Sequence, residues 1–490
     1  MKKKFEYERR KPEKTVLYQT IRDYLDEFLI VARLNGKSLP QYVEDEFRAF
    51  LRCGCIQFGF VRRKCDRCGK EEFTPFSCKR RGFCPSCCGR RMAESAVHLM
   101  DNILPKKAMR QWVVTLPFPL RYLVSTNKEI QQKIHQLVIG EVHSYYTQKA
   151  KRLGVKMSRA GSITFIQRWG SALNSNLHFH ILAVDGVWFL NGNDRISFKN
   201  ISEPSQKDVS RVLERIRDRI FRFLRKKNIL KSDPEYMELA NDPLFEESPG
   251  FGSSKKASII GRIAFGERAG KKVRFIGSGY GYAEEKAFFS GKQIASMNGF
   301  TLHCKTRIKA HDREGLERLV MYMARGPIAT DRLKRADDDS GNLVYKLKRP
   351  FSDGRTHVLL SPIELLEKLS ALIAPKWFNQ IRYNGVFAPG SEWRGEIVKS
   401  LKKKREIDDE SCEEERPSYR YSWSFLLKRV FNLDLDRCPE CGGRLEFISS
   451  IQDSGVIKRI LEHVGISTDP PDRPQRVSTT LDPLFDDLGA

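Results

Sequence analysis

Three groups of residues in this chain have the types and spacing to do chemistry. The first is His178-Phe179-His180, set in the run from Leu177 to Val184. Read with a period of two, the run is a strand with both imidazoles on one face. Such a pair can hold one divalent cation and leave the far side of the ion open to a substrate. A solitary His-x-His more often marks ordinary core or surface histidines, so its company decides. The second group is Tyr322, with Arg318 at i−4 and Arg325 at i+3. Tyrosine forms covalent intermediates, arginine holds phosphate oxygens bidentately, and a metal-polarised phosphate is an electrophile that a phenol can attack. The third group is the cysteines. Cys65-Asp66-Arg67-Cys68 and Cys84-Pro85-Ser86-Cys87 are two knuckles fifteen residues apart, and their four thiolates would close one tetrahedral zinc site. Cys53, Cys78, Cys88 and His98 then remain, either to complete a second site or as unliganded groups. Cys438-Pro439-Glu440-Cys441 supplies two more ligands and needs help from Cys412, His463 or the first cysteine module.

These groups need elements to position them. Asp312 opens a helix through about Arg325, stopped by Gly326-Pro327, with Leu316, Leu319, Val320 and Met323 as its apolar stripe. Tyr322 lies about a quarter turn off that stripe. Ser162–Trp169 reads as a strand on which Gln167 shares the apolar face of Ile163 and Phe165. Gln167 is therefore a candidate third metal ligand, with an amide bonded to backbone as the alternative. Asp185-Gly186 predicts a hairpin with Val187–Leu190 as the returning strand. Helices are expected near Val16–Val31, after a capping box at Ser38–Gln41, and over Met92–Leu104, Ile130–Tyr145 and Val209–Lys227. His135 and His143 read as solvated helix residues, and His303 as structural on an alternating strand over 300–308. Gly277–Gly281 is a flexible turn, and Gly266–Lys272 fails as a phosphate-binding loop on spacing and on the missing Ser/Thr.

Composition narrows the partner. Net charge is +26 over 490 residues, from 87 Lys+Arg against 61 Asp+Glu. That balance points to a polyanion, and no apolar run approaches the 20 or so residues of a membrane span. The start, Met1-Lys2-Lys3-Lys4-Phe5-Glu6, has no hydrophobic stretch behind its charges, so the expected location is the cytoplasm. Reduced cysteines at this spacing favour metal over disulfides.

With these pieces in order, the chain resembles the HUH-type rolling-circle transposases of the insertion-sequence-91 (ISCR-like) family. The likeness rests on Phe50–Cys53 through Arg80–Cys87, Trp112–Pro117, Thr164–Asn174, His178–His180, Tyr322–Ala329 and Asp353–Val358. It implies an α+β fold: a nuclease palm of antiparallel sheet with flanking helices, an N-terminal zinc-binding domain and a small C-terminal zinc-knuckle region. It implies Mg2+ or Mn2+ held by His178 and His180, structural Zn2+, and Tyr322 as a nucleophile. That tyrosine would nick single-stranded DNA at element ends and stay joined through a 5′-phosphotyrosine. Gln167 as third ligand, and Arg318, Arg325 and Arg168 as phosphate contacts, are the further expectations. A single tyrosine stands in the motif, with Gly326 where some relatives carry a second. The alternatives are a non-catalytic zinc-knuckle DNA-binding protein and a rolling-circle replication initiator.

The expected division is a helical arm over 1–45, a zinc-binding domain over 46–104 and the catalytic domain over 105–390. A charged linker over 391–425, and a C-terminal knuckle and tail over 426–490, complete it. Cys65, Cys68, Cys84, Cys87, Cys53 and Cys78 are the zinc candidates of the second segment, and Cys438 and Cys441 those of the last. DNA, single-stranded and as hairpin or duplex, is the expected partner, with no membrane involved.

Overall fold

The computed structural model describes residues 11–34, 38–229, 248–277, 292–375, 378–402, 423–431 and 434–470. Cys412, Ser278–Gly281, the tail after 470 and most of the expected linker lie outside them.

The fold is α+β, and every strand pairing among the described residues is antiparallel. At its centre is a seven-stranded sheet in the order Ile294–Met297, Phe300–His303, Met109–Thr115, Ser175–Val184, Gly161–Trp169 and Ile381–Gly385. Arg307–Ile308 also pairs with Met109–Thr115. The expected single strand over 300–308 is thus two pieces that share one neighbour. The strand that carries the histidines, Ser175–Val184, is central, which is why its residues from Phe179 to Val184 are buried on both faces.

Alternation along these strands sorts the core into two layers. Trp112, Val114, Ile166, Phe179 and Ile181 face the helices Phe118–Thr126, Lys128–Arg152 and Gln206–Lys226. Met109, Ile163, Phe165, Leu182 and Val184 face the helices Pro85–Asn102 and Arg313–Ala324, together with Trp393 and Ile397. A third core joins the N-terminal helices Val16–Leu34 and Gln41–Arg52 to the strands Leu343–Lys346 and His357–Leu360 and the helix Pro362–Leu372. The first two helices are therefore packed into the body of the molecule. Helix starts follow the capping chemistry at Ser361 and at Asp312, whose side chains accept from Glu364 and Gly315 backbone N–H groups. The capping box expected at Ser38 does not form. Pro40 occupies the N-cap and Gln41 begins the helix.

Two further expectations fail for tertiary reasons. Val187–Leu190 does not fold back on the histidine strand. Gly186–Leu190 pairs instead with Ser158–Arg159 and Ile196–Asn200 in a separate sheet. Asp185 is not a surface turn residue but a buried acceptor, held bidentately by Arg110 (3.0 and 3.1 Å) and by Arg307 at 2.7 Å. A buried carboxylate needs such partners, and the chain turns where the two arginines can supply them. His135 and His143 are not solvated. His135 is 3% exposed and bonds Thr164 Oγ1 at 3.0 Å, and His143 bonds Ser162 Oγ at 2.8 Å. Helix Lys128–Arg152 lies on the sheet with these two polar pairs between them.

Candidate active site and cysteine clusters

The histidine face begins with strand register. Thr115, His178 and Gln167 stand opposite one another across three neighbouring strands, and Val113, His180 and Phe165 form the next row. Residues directly opposite in antiparallel strands share a face, so both imidazoles and Gln167 project to the side of helix Arg313–Ala324. The two imidazole rings lie 4.7 Å apart, centroid to centroid. His178 Nδ1 donates to the Asn176 carbonyl at 2.8 Å, which leaves its Nε2 with a free lone pair. His180 Nδ1 lies 2.8 Å from the amide nitrogen of Gln111, which can only donate to it; turning that amide puts its oxygen there instead and frees the lone pair of Nε2, which is buried with no hydrogen-bond partner. Burial, helped by neighbouring positive groups, brings the His178 imidazolium down to about 4 and holds that of His180 well below the usual range. Both rings are therefore neutral at pH 7, the form a metal ligand needs. A buried, unpartnered ring nitrogen beside a second free one is a donor set that fits a divalent cation.

Tyr322 comes to the same place from the last turn of its helix. Leu316, Val320 and Met323 are buried on the sheet side, and Tyr322 is 36% exposed. Its ring stands edge-on to His180, with centroids 6.0 Å apart and planes at 88°. Gln167 secures this approach. Its amide nitrogen donates to the carbonyls of Tyr322 (3.2 Å) and Met323 (2.9 Å), two of the acceptors a helix end leaves unpaired. With the nitrogen so engaged, only the amide oxygen of Gln167 remains to offer a cation. The bland alternative for Gln167, an amide bonded to backbone, is thus what its nitrogen does.

The arginines divide. Arg325 lies over the Tyr322 ring at 4.7 Å, with its buried Nε unpartnered. Arg318 is well exposed and lies 3.6 Å from Glu314. Arg168 does not face this site. It neighbours Gln167 along the strand and so points to the opposite face, where it is 3% exposed, donates to the Ser125 carbonyl at 3.1 Å and lies over Phe378. Its expected role as a phosphate contact is not compatible with that burial. A cation that sequence reasoning missed takes a place here: Lys348 Nζ lies 4.2 Å from the centre of the Tyr322 ring. Gln111 was missed too. A polar residue at an alternate position of the apolar strand Met109–Thr115 was the signal that could have found it.

The zinc assignment is corrected in its pairing. Cys65 and Cys68 do not share a site with Cys84 and Cys87. Cys53, Cys78, Cys84 and Cys87 form one cluster, and Cys65, Cys68, Cys438 and Cys441 another, with all Sγ atoms of each within 4.8 Å of one another. In the first, Cys87 lies 3.7 Å from Cys53 and 3.3 Å from Cys78, and Cys84 lies 3.5 Å from Cys53. Four thiolates at 2.3 Å from a zinc ion stand about 3.8 Å apart, so the cluster has the dimensions of a structural site. The pairing follows from helix Pro85–Asn102, which begins inside the knuckle and carries Cys87 on its first turn toward Cys53. Cys88, on the next position, is buried and unshared, and it meets the active-site helix. A Cβ built on Gly326 would fall 2.6 Å from Cys88 Cβ. His98 is not part of either cluster; its ring nitrogen bonds the side chain of Asn102 at 3.5 Å.

No curated protein and no solved structure matches this chain. Family models do. Residues 161–396 match the model described as "Putative transposase", and residues 20–116 match the model described as "Transposase zinc-binding domain" of the insertion-sequence-91 type. The first span holds the histidine strand, Gln167 and the tyrosine helix, and the second holds the whole of the Cys53/Cys78/Cys84/Cys87 cluster. No helix among the described residues is long and apolar enough to cross a membrane. The two matches cover the first cysteine cluster and the α+β body with its histidine pair, and the chain belongs to the insertion-sequence-91 family of transposases.

Proposed function

We propose that this transposase nicks and rejoins single-stranded DNA with Tyr322 as nucleophile, on a sheet that serves as an HUH-type palm. The observation that carries the proposal is the convergence of Tyr322 on His180, 6.0 Å between rings, beside two imidazole nitrogens that have no protein partner. His178 and His180, with the amide oxygen of Gln167, would hold a Mg2+ or Mn2+ ion. When bound, such an ion offsets charge on the scissile phosphate and polarises it.

The chain's own residues do the rest. Gln167 fixes the end of the tyrosine helix, so the phenol is presented rather than free to wander. Arg325 and Lys348 flank the ring and can hold the non-bridging oxygens of the phosphate. The Tyr322 oxygen forms a bond to phosphorus as the bond to the 3′-oxygen breaks. The phenol proton is lost and the 3′-oxygen gains one, leaving a 5′-phosphotyrosine and a free 3′-hydroxyl. The phosphodiester character is kept, so reversal rejoins a strand without a nucleotide cofactor. Gln111 acts through His180: turned so that its amide oxygen accepts from Nδ1–H, it would orient the ring and leave Nε2 the lone pair that a cation needs.

The test is a labelled single-stranded element end incubated with the protein and Mn2+. A covalent adduct that survives denaturant is expected from wild type and none from Tyr322→Phe. No adduct from wild type, or an undiminished one from the variant, would remove Tyr322 from the mechanism.

A further inference from the structure

We propose that Cys65, Cys68, Cys438 and Cys441 form a second zinc site, one that fastens the C-terminal segment of the chain to its N-terminal zinc-binding domain. Two of these four ligands lie beyond both family-matched spans, which end at residues 116 and 396.

The thiol geometry is that of a metal site. Cys65 Sγ lies 3.4 Å from Cys441 Sγ, and Cys68 Sγ lies 3.6 Å from Cys438 Sγ. These separations are far longer than the roughly 2.05 Å of a disulfide and close to the edge of a thiolate tetrahedron around zinc. An all-thiolate set of four suits a soft or borderline ion and no hard one.

The backbones make the argument independent of those distances. The two knuckles, Cys65-Asp66-Arg67-Cys68-Gly69 and Cys438-Pro439-Glu440-Cys441-Gly442, have the same hydrogen-bond pattern. Gly69 N–H donates to Cys65 O at 3.1 Å and Gly442 N–H to Cys438 O at 3.0 Å. Cys65 N–H donates to Lys70 O, and Cys438 N–H to Gly443 O, each at 2.8 Å. Gly69 and Gly442 both take positive φ, +73° and +69°, which closes each turn under its sulfurs. In each knuckle an amide also donates to a sulfur: Arg67 N–H to Cys65 Sγ at 3.5 Å and Gly443 N–H to Cys441 Sγ at 3.4 Å. Two copies of one turn thus face each other across the chain.

The surroundings align them. Phe60–Cys65 pairs antiparallel with Leu445–Ile451, with Cys65 opposite Leu445. Asp66 accepts from Arg444 N–H at 2.9 Å and donates its own N–H to Arg444 O at 3.0 Å, and Lys70 pairs with Glu440. The apolar core beneath is slight: Ile56, Phe60, Ile457 and Leu461 are its buried members. A core of that size contributes little to holding two chain segments together, and a metal is a usual supplement. The fastened segment also reaches the body. Arg429, on helix Trp423–Phe431, lies 3.6 Å from Glu317 on the tyrosine helix.

The test needs no DNA cleavage, so it stands or falls apart from the proposed nuclease. Purified full-length protein is expected to carry two zinc ions per chain by elemental analysis. The Cys438→Ser, Cys441→Ser pair is expected to carry one, the ion retained in the Cys53 cluster showing that the rest of the chain folds. One ion in wild type, or two in the paired variant, overturns the site. For the fastening, a protease sequence is placed within residues 403–422 and the native protein is cut there. The fragment from 423 onward is expected to co-elute with the remainder in zinc-containing buffer and to separate on chelation. Co-elution that survives both the chelator and the paired Ser substitution would overturn the metal's role in holding it.

Discussion

The two cysteine clusters each gather four thiols, but for different physical ends. Cys53, Cys78, Cys84 and Cys87 come from one stretch of 35 residues and sit against the core shared by the N-terminal helices and helix Pro362–Leu372. Three of the four are buried. The other cluster draws its two knuckles from opposite ends of the chain, rests on a slight core and has Cys68 and Cys441 exposed. A metal in the first organises a segment already surrounded by packing. A metal in the second would decide whether a segment is attached at all. Thiolate spacing alone says nothing about what a site holds together; the packing around it does.

The sharpest way to break this contrast is Cys84→Ser. It removes a ligand that is 1% exposed and whose knuckle starts helix Pro85–Asn102, which supports the tyrosine helix. Loss of one zinc ion, a fall in thermal midpoint of 10 °C or more, and loss of adduct formation are expected together. Retention of both ions and of the midpoint would show that the first cluster is not a structural site.

A smaller effect is expected from Gly326→Ala. The new methyl would press on Cys88, the residue after a ligand of the first cluster, at a cost of about 1–3 kcal/mol if the two elements cannot part. Adduct yield should fall several-fold with zinc content unchanged, and Cys88→Gly in the same chain should restore much of it. A side chain accepted at 326 without loss would show that the zinc head does not bear on the tyrosine helix. The same contact explains why no second tyrosine fits at this position: Cys88 fills the space.

The smallest effect sharpens the contrast with a region that needs no metal. Burial pushes the His135 imidazolium down to about 3, below its ordinary 6.5. A histidine depressed on folding binds its proton more readily in the unfolded chain. The stability it allows is present above about pH 6.5 and is lost as pH falls toward 3. His135→Gln should therefore flatten the acid-side fall in melting temperature between pH 6.5 and 4, by a few degrees against wild type. Parallel curves for the two proteins would mean that His135 is protonated without cost.

Much of the site was legible because it is local. His-x-His on a strand places two rings on one face whatever the fold does, and Asp312 and Gly326-Pro327 bound the tyrosine helix by backbone chemistry alone. The C-x-x-C knuckles are legible for the same reason, since each turn is made by its own six residues. The partner of each knuckle was not. It depends on the register of Phe60–Cys65 against a strand some 380 residues later, and nothing in either segment encodes that distance. Alternation from Gln167 already puts Arg168 on the other face, but the sequence could not say that Gln167 spends its amide nitrogen on the end of the tyrosine helix, or that Asp185 is claimed by two arginines. Turns, caps and face alternation are set by neighbours along the chain. Which buried donor finds which acceptor is set only when distant segments pack, because each polar group takes whatever partner the closed core leaves beside it.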